Sequence, residues 1–338
     1  MSQSLVIDIG DRDTRVGLVA TSKNKLDLVS VAVGKTVPQF FSSDNPQLSE
    51  KQSQVIVDLV HLLKTKEEIA HIVIPDAYVF SQIVDMPKLK EKELLSAIRY
   101  QADEFIPMPI DESSIDIEIL EDNQKTKKLK ILIIASAKKI VDRVAQCIEL
   151  AGLEPDSLEN ELNASARLVG LYPPRNDGLF VLINVGYTAS SIYVFDGTTK
   201  LILLSRTIKI GIELLLRSIT LNLNIDTSKA AELLRTIGFG TGGSVDVPTI
   251  ILPIIKEFIQ EFEKVVILTK DKYTLPIKQV YTCNHDSEVA FLPEQIAALT
   301  AIPTSQFPLS NVLNQNRITQ QYGKSITQFL SLVSGVLR

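Results

Sequence analysis

The sequence predicts an α/β protein of two related lobes, each built on a β-sheet, with a small α+β subdomain inserted into the first. Three observations carry that prediction. At roughly 150 residues per domain, a chain of 338 residues is long enough for two domains or two lobes. Residues 6–19, VIDIGDRDTRVGLV, and 182–195, LINVGYTASSIYVF, repeat a strand, a glycine, a short polar turn and a second strand about half a chain length apart. Between the halves, residues 84–152 break the repeated pattern.

Each half then runs in the same order. In the first, the hairpin around Gly10 is followed by an alternating strand over 26–33. A helix over 50–63 has Val55, Leu59, Leu62 and Leu63 at helical spacing, and HIVIP closes a buried strand. In the second, the hairpin around Gly186 is followed by the turn Phe195-Asp196-Gly197-Thr198, the strand KLILLSRTIKIG and a helix over 212–223. The glycine in each hairpin permits a close backbone turn. The intervening segment reads as a helix in MPKLKEKELLSAIRYQADEFIPMPIDE, a strand pair around 115–120 and 130–135, and a helix over 138–151. Its KTKKLK run at 125–130 reads as a solvated hairpin tip.

Composition narrows the function. With 45% hydrophobic and 22% charged residues, the chain is neither disordered nor collagen-like. A net charge of -5 supplies no field to draw it to nucleic acid or acidic lipid. Cys147 and Cys283 lie far apart, which fits a reducing compartment. His61, His71 and His285 form no metal-ligand spacing. The N-terminal MSQSLVIDIGDRD lacks a signal-peptide pattern, and KILIIASA and LFVLINVG are short of the roughly 20 residues a spanning helix needs. A cytoplasmic protein is expected.

Two nucleotide motifs fail in context. Gly34-Lys35-Thr36 resembles the end of a phosphate-binding loop, but Val29 stands where its first glycine belongs and Val37-Pro38 follows instead of a helix. Residues 238–243 match G-x-G-x-x-G but follow a helical pattern and lead to Val247-Pro248, which reads as a flexible connection. The repeated hairpins offer another site. If the lobes face each other, the amides of both turns point into the cleft and form an anion cradle, with Asp8, Gly10 and Thr14 on one side and Asn184, Gly186 and Ser190 on the other. An Asp at the start of each turn would act on a metal's water shell. The competing reading, that both glycines only close tight hairpins, stays open.

DIGDRDTR, NVGYTAS, the inserted MPKLKEKELLSAIRYQADEFIPMPIDE, LKILIIASAKKIVDRV with AGLEPDSLENELNASAR, and the terminal SGVLR together resemble the PilM family of type IV pilus assembly. The resemblance runs nearly end to end and is most specific in the insert. It implies an actin-like (ribonuclease H-like) bilobed α/β fold binding ATP with Mg between its lobes. The first lobe would be 1–83 and 153–178, with a C-terminal helix 320–338 packing back on it rather than meeting a membrane. The insert would be 84–152. The second lobe would be 179–319, with a helical subdomain at about 212–275. The resemblance also implies a partner, the N-terminal cytoplasmic peptide of a PilN-like membrane protein, docked between the first lobe and the insert. Arg99, Tyr100, Phe105, Ile106 and Pro107 are the candidate groove residues. Other pilus platform proteins are further implied partners, and contact with the inner membrane would be indirect, through these partners.

The nucleotide residues implied are Asp8, Gly10, Thr14, Arg15, Asn184, Gly186, Ser190, Gly211, Glu232 and Arg235, and several depart from the family pattern. The first turn carries Asp11, Arg12 and Asp13 instead of small or hydroxyl residues. A carboxylate ~5 Å from a phosphate charge costs about 3 kcal/mol at an effective dielectric near ~20. Asn184 replaces the second Asp, Gly211-Ile212 replaces a glycine pair, Arg235 stands for a Lys, and Asn284-His285-Asp286-Ser287 contains no glycine where the adenine side expects a pair. The expectation is therefore a PilM-like scaffold with a degenerate nucleotide cleft and no catalytic residue. Alternatives are an active actin-like ATPase or small-molecule kinase, for which Asp8 is the first-turn base candidate, and an FtsA-like cell-division protein.

Overall fold

The structure is a computed structural model that describes residues 3–22, 25–89, 91–100, 106–172, 178–241 and 245–337. The first lobe opens with β1 (Gln3–Ile9), β2 (Asp13–Thr21), β3 (Leu26–Lys35), α1 (Gln47–Leu63) and β4 (Ile69–Ile74). The chain then leaves the lobe through β5 (Val79–Pro87), α2 (Glu91–Tyr100), β6 (Ser113–Asn123) and β7 (Lys128–Ala137), and returns as α3 (Lys138–Leu150), β8 (Glu154–Asn160) and α4 (Glu161–Leu171). The second lobe comprises β9 (Leu179–Val185), β10 (Ser190–Asp196), β11 (Ile202–Ile208), α5 (Ile212–Leu223), α6 (Thr227–Thr236), α7 (Val247–Lys272), β12 (Ile277–Asn284), α8 (Leu292–Thr300) and β13 (Thr304–Gln306).

The two large sheets have the orders β3-β2-β1-β4-β8 and β11-β10-β9-β12-β13, the same plan strand for strand. In both, an antiparallel hairpin leads and parallel strands follow. β1 is buried on both faces, which is why its apolar run is nearly continuous. Leu5, Ile7 and Ile9 join Ile56 and Leu59 of α1 in one core, while Val6 faces a second core shared with Phe180, Leu182 and Tyr193 of the second lobe.

The insert is a three-stranded antiparallel sheet in the order β5-β7-β6. Leu94 and Ile98 of α2 cover one face of it, against Ile131 and Ile133. The opposite face turns Leu132 into the core between the lobes. α3, which the sequence boundary of 84–152 puts in the insert, buries Ile140, Val144, Cys147 and Ile148 with the α1 side of the first lobe. That helical stripe packs mainly on α1 and β8.

The C-terminal segment packs back on the first lobe, as a broken element rather than one helix over 320–338. After α9 (Leu309–Val312) come α10 (Arg317–Tyr322), a 3-10 stretch Gly323–Phe329 and α11 (Leu330–Ser334). Leu330, Leu332 and Val333 are buried with Val6 and Val19. The approach is close: a Cβ on Gly17 would lie 2.7 Å from the Leu332 side chain. Among the described residues, no helix is long and apolar enough to cross a membrane.

Candidate functional site

The two hairpin turns face each other across the interlobe cleft. Both need glycine for the same reason: a Cβ on Gly10 would sit 2.8 Å from the Asp13 carbonyl, and one on Gly186 only 1.9 Å from the Ala189 carbonyl. Gly211 approaches the second turn as closely, since its Cβ would lie 2.2 Å from the Tyr187 carbonyl, and Ile212 and Glu213 donate their amides to the Gly186 and Tyr187 carbonyls. The start of α5 is therefore fastened to the second turn.

The first turn reaches across the cleft. Arg12 donates to both carboxylate oxygens of Glu288, at 2.8 Å to Oε2, and its Nε donates to Asp13 at 2.7 Å. The Arg12 guanidinium also lies 4.9 Å over the Tyr187 ring. Lys35 donates to the other Asp13 oxygen at 2.6 Å. Arg15, 2% exposed, pairs with buried Asp8 at 2.9 Å and donates to Asn284 Oδ1 at 3.1 Å. His285 Nδ1 lies 2.6 Å from Glu288 Oε1 and 3.1 Å from Arg12 Nη2, and its Nε2 lies 3.4 Å from Arg15 Nη2. Asp11 accepts from Tyr78 at 2.6 Å and from Thr188 of the second turn.

These contacts set the charges. Burial alone would raise the Glu288 carboxyl, but hydrogen bonds and charge from His285 and Arg12 outweigh it and hold it far below the carboxylate range. Burial likewise opposes ionisation of Asp13, and Lys35 and Arg12 overcome it. Burial pushes His285 below its ordinary value, against the pull of the Glu288 hydrogen bond and charge. Burial pushes Asp8 up, and Arg15 offsets that only in part.

Beneath the turns lies a second network. Asp76, at the end of β4, accepts from Asn160 at 2.9 Å, from the Leu162 amide at 3.0 Å and from Tyr193 of the second lobe. Glu161, the first residue of α4, accepts from the Asp76 amide at 3.3 Å and from Asn284 at 3.4 Å. Burial raises both carboxyls, and for Glu161 the neighbouring Asp76 and Asp8 add to it.

The open space follows from this packing. The cavity directly between the turns, bounded by Gly10, Arg15, Asp76, Glu161, Gly186 and Asn284, holds about 20 Å³, roughly the room for one water. Wider spaces lie on either side of Arg12 and Lys35. One of about 650 Å³ is walled by Phe40, Phe41, Tyr78 and Tyr187, and one of about 320 Å³ by Arg235, Asn284, Ser287 and Glu288.

Of the residues expected around a nucleotide, Asp8, Gly10, Arg15, Asn184, Gly186 and Gly211 gather at or just beneath the turns. Thr14 points the other way, into a buried cluster with Thr36 and Gln52. The Ser190 hydroxyl accepts from the Gly186 amide and supports the turn. Asn184 is buried beside Tyr193. Glu232 and Arg235 are exposed on α6, and only Arg235 borders the 320 Å³ space. Gly238 turns sharply after α6 and packs on the Ala290 carbonyl, so its stretch is a tight connection, while residues 242–244 lie outside the described residues. In the insert, Tyr100 is 92% exposed, Pro107 is exposed and Ile106 is buried in the insert core. Phe105 and the Arg99 side chain lie outside the described residues. Sequence reasoning missed Asp76, Glu161, His285 as a cleft residue and Glu288. The only local signal was the HDSE run, whose i, i+3 spacing lets His285 and Glu288 meet.

The family described as type IV pilus assembly protein PilM matches residues 6–328. Among solved structures, the chain is similar to one titled as a PilM-PilN type IV pilus biogenesis complex, with 19% identity and a TM-score of 0.82 over 99% of this chain and 98% of that one. It is also similar to the ethanolamine utilization protein EutJ from Carboxydothermus hydrogenoformans, at 12% identity and TM-score 0.59 over 100% and 90%. MreB 5 of Spiroplasma citri bound to AMPPNP is similar at 9% identity and TM-score 0.53 over 99% and 95%. These likenesses establish an actin-like bilobed α/β fold.

Proposed function

The chain belongs to the PilM family of type IV pilus assembly proteins, and from that membership we propose that it is an assembly scaffold whose cleft is held shut by its own side chains. Its partner is the N-terminal cytoplasmic peptide of a PilN-like membrane protein, which brings the scaffold to the inner membrane and to the other pilus platform proteins. Exposed Tyr100 and Pro107 are offered as contacts for that peptide, with Ile106 as support from the insert core.

The observation that carries the closed-cleft reading is the pair of arginines of the first turn. Arg15 neutralises the Asp8 carboxylate that would otherwise face a metal's water shell, and Arg12 bridges the lobes to Glu288. The room for about one water between the turns supports this reading, since phosphates with Mg would need more space at that point. No chemical step is assigned. Calorimetric titration with Mg-ATP is expected to give no saturable heat at micromolar concentration, while a synthetic PilN-like tail binds and Tyr100→Ala weakens it. Micromolar Mg-ATP binding would overturn the closed-cleft half; failure of the tail to bind would overturn the partner half.

A second reading, nucleotide binding, draws on the 320 Å³ space beside Arg235 and Ser287. It requires Arg12 to leave Glu288, so Glu288→Gln acquiring Mg-ATP binding would favour it.

A further inference from the structure

Among the described residues, the longest strand at a sheet edge belongs to the insert. β6 runs for 11 residues at the end of the β5-β7-β6 sheet. The other edge strand, β5, lies toward the second lobe, where Asp85 meets Lys272 at 3.9 Å. An unpaired strand presents amides and carbonyls that template another strand.

The register fixes what that edge displays. Ile115, Ile117 and Ile119 stand beside Ala135, Ile133 and Ile131, on the face covered by α2, while Asp116 and Glu118 stand beside Ile134 and Leu132 on the other. Ile119 is 46% exposed. The Ile117 amide donates to the Asp116 side chain at 2.8 Å in an exposed contact, as an amide on the outward side of an antiparallel ladder does, and the alternation of that ladder puts the amides of Ile115 and Ile119 on the same side. Farther along, Glu121 and Asp122 are paired with Lys130 and Lys88. Among the described residues, Asp116 and Glu118 have no ion-pair partner.

We propose that the outer edge of β6 is a strand-addition site for an extended segment of a partner protein in which apolar residues alternate with Lys or Arg. The apolar residues extend the α2-side face beyond the isoleucines, and the basic residues meet Asp116 and Glu118. A second copy of the chain is disfavoured, because antiparallel pairing of two β6 edges about Ile117 sets Asp116 of one against Glu118 of the other. The inference does not rest on the PilN-like reading, since the edge is the same whichever protein supplies the segment.

The test uses the full chain with a ten-residue peptide alternating Val and Lys, and its Val/Glu counterpart. The Val/Lys peptide is expected to slow hydrogen exchange at the Ile115, Ile117 and Ile119 amides, and the Val/Glu peptide to leave them unchanged. Reversing both charges, Asp116→Lys with Glu118→Lys, should weaken Val/Lys binding by about tenfold. Ile117→Pro removes an outward donor but no ladder bond and should abolish the protection. Protection elsewhere, equal binding of both peptides, or indifference to the charge reversal would overturn the proposal; dimerisation through β6 without peptide would do so too.

Discussion

The two hairpin turns share a plan and differ in chemistry. Each has a glycine pressed against a carbonyl of its own turn, and each joins the first two strands of a sheet with the same order. The second turn, Gly186-Tyr187-Thr188-Ala189, carries no ionised side chain and is fastened to the start of α5. The first, Gly10-Asp11-Arg12, with flanking Asp13 and Arg15, is charged throughout and sends three side chains to the opposite lobe. One backbone shape thus serves two ends. Backbone geometry is kept in both turns, while the side chains of one supply the cations and anions that close the cleft.

The sharpest way to break this comparison is Arg15→Met. It leaves Asp8 buried beside no cation, and removing one partner of such a pair typically destabilises by about 3–5 kcal/mol. Chemical denaturation should show it, and an effect under about 1 kcal/mol would mean Arg15 is not the charge that holds the first turn.

The shared backbone is tested next by Gly186→Ala and Gly10→Ala. The second-turn change should lower stability by about 3 kcal/mol and the first by about 1–2 kcal/mol, in proportion to the severity of each clash. Equal losses would show that the turns relax alike.

Glu288→Gln should cost about 1–3 kcal/mol at pH 7 by weakening the Arg12 bridge. Because the folded Glu288 pKa lies below its unfolded value, the stability it contributes is present above about pH 4.5 and fades as pH falls toward the folded value. The gap between wild type and variant should therefore stay constant from pH 7 to about pH 5 and close below that. A gap that widens on acidification would reverse the assignment. The smallest effect is expected from Asp11→Asn, which keeps a carbonyl for Tyr78 or Thr188 and should cost about 1 kcal/mol.

The sequence made the architecture legible because the repeated hairpins and the periodicity of 26–33, 50–63 and 212–223 are local patterns. The site was half legible for the same reason. Gly10, Gly186 and Asp8 announce themselves within their own hairpins, but Arg12 and Glu288 meet only once two lobes are docked, and nothing near either residue encodes that docking. Asp76 and Glu161 were missed because each sits at an element end, where a carboxylate reads as a cap or a turn residue. The packing of α3 was not legible because it follows β7 without a break, and only its buried face shows that it lies against α1.

The broken C-terminal segment has a consequence for the order of events during synthesis. Leu330, Leu332 and Val333 fill the face of β1 and β2 that is made first, so the earliest strands to leave the ribosome wait for nearly the whole chain before their inner face is covered. Each lobe also carries a core of its own that does not include that segment. Until the segment arrives, the face that carries Val6 and Val19 is apolar surface of the kind that chaperones cover.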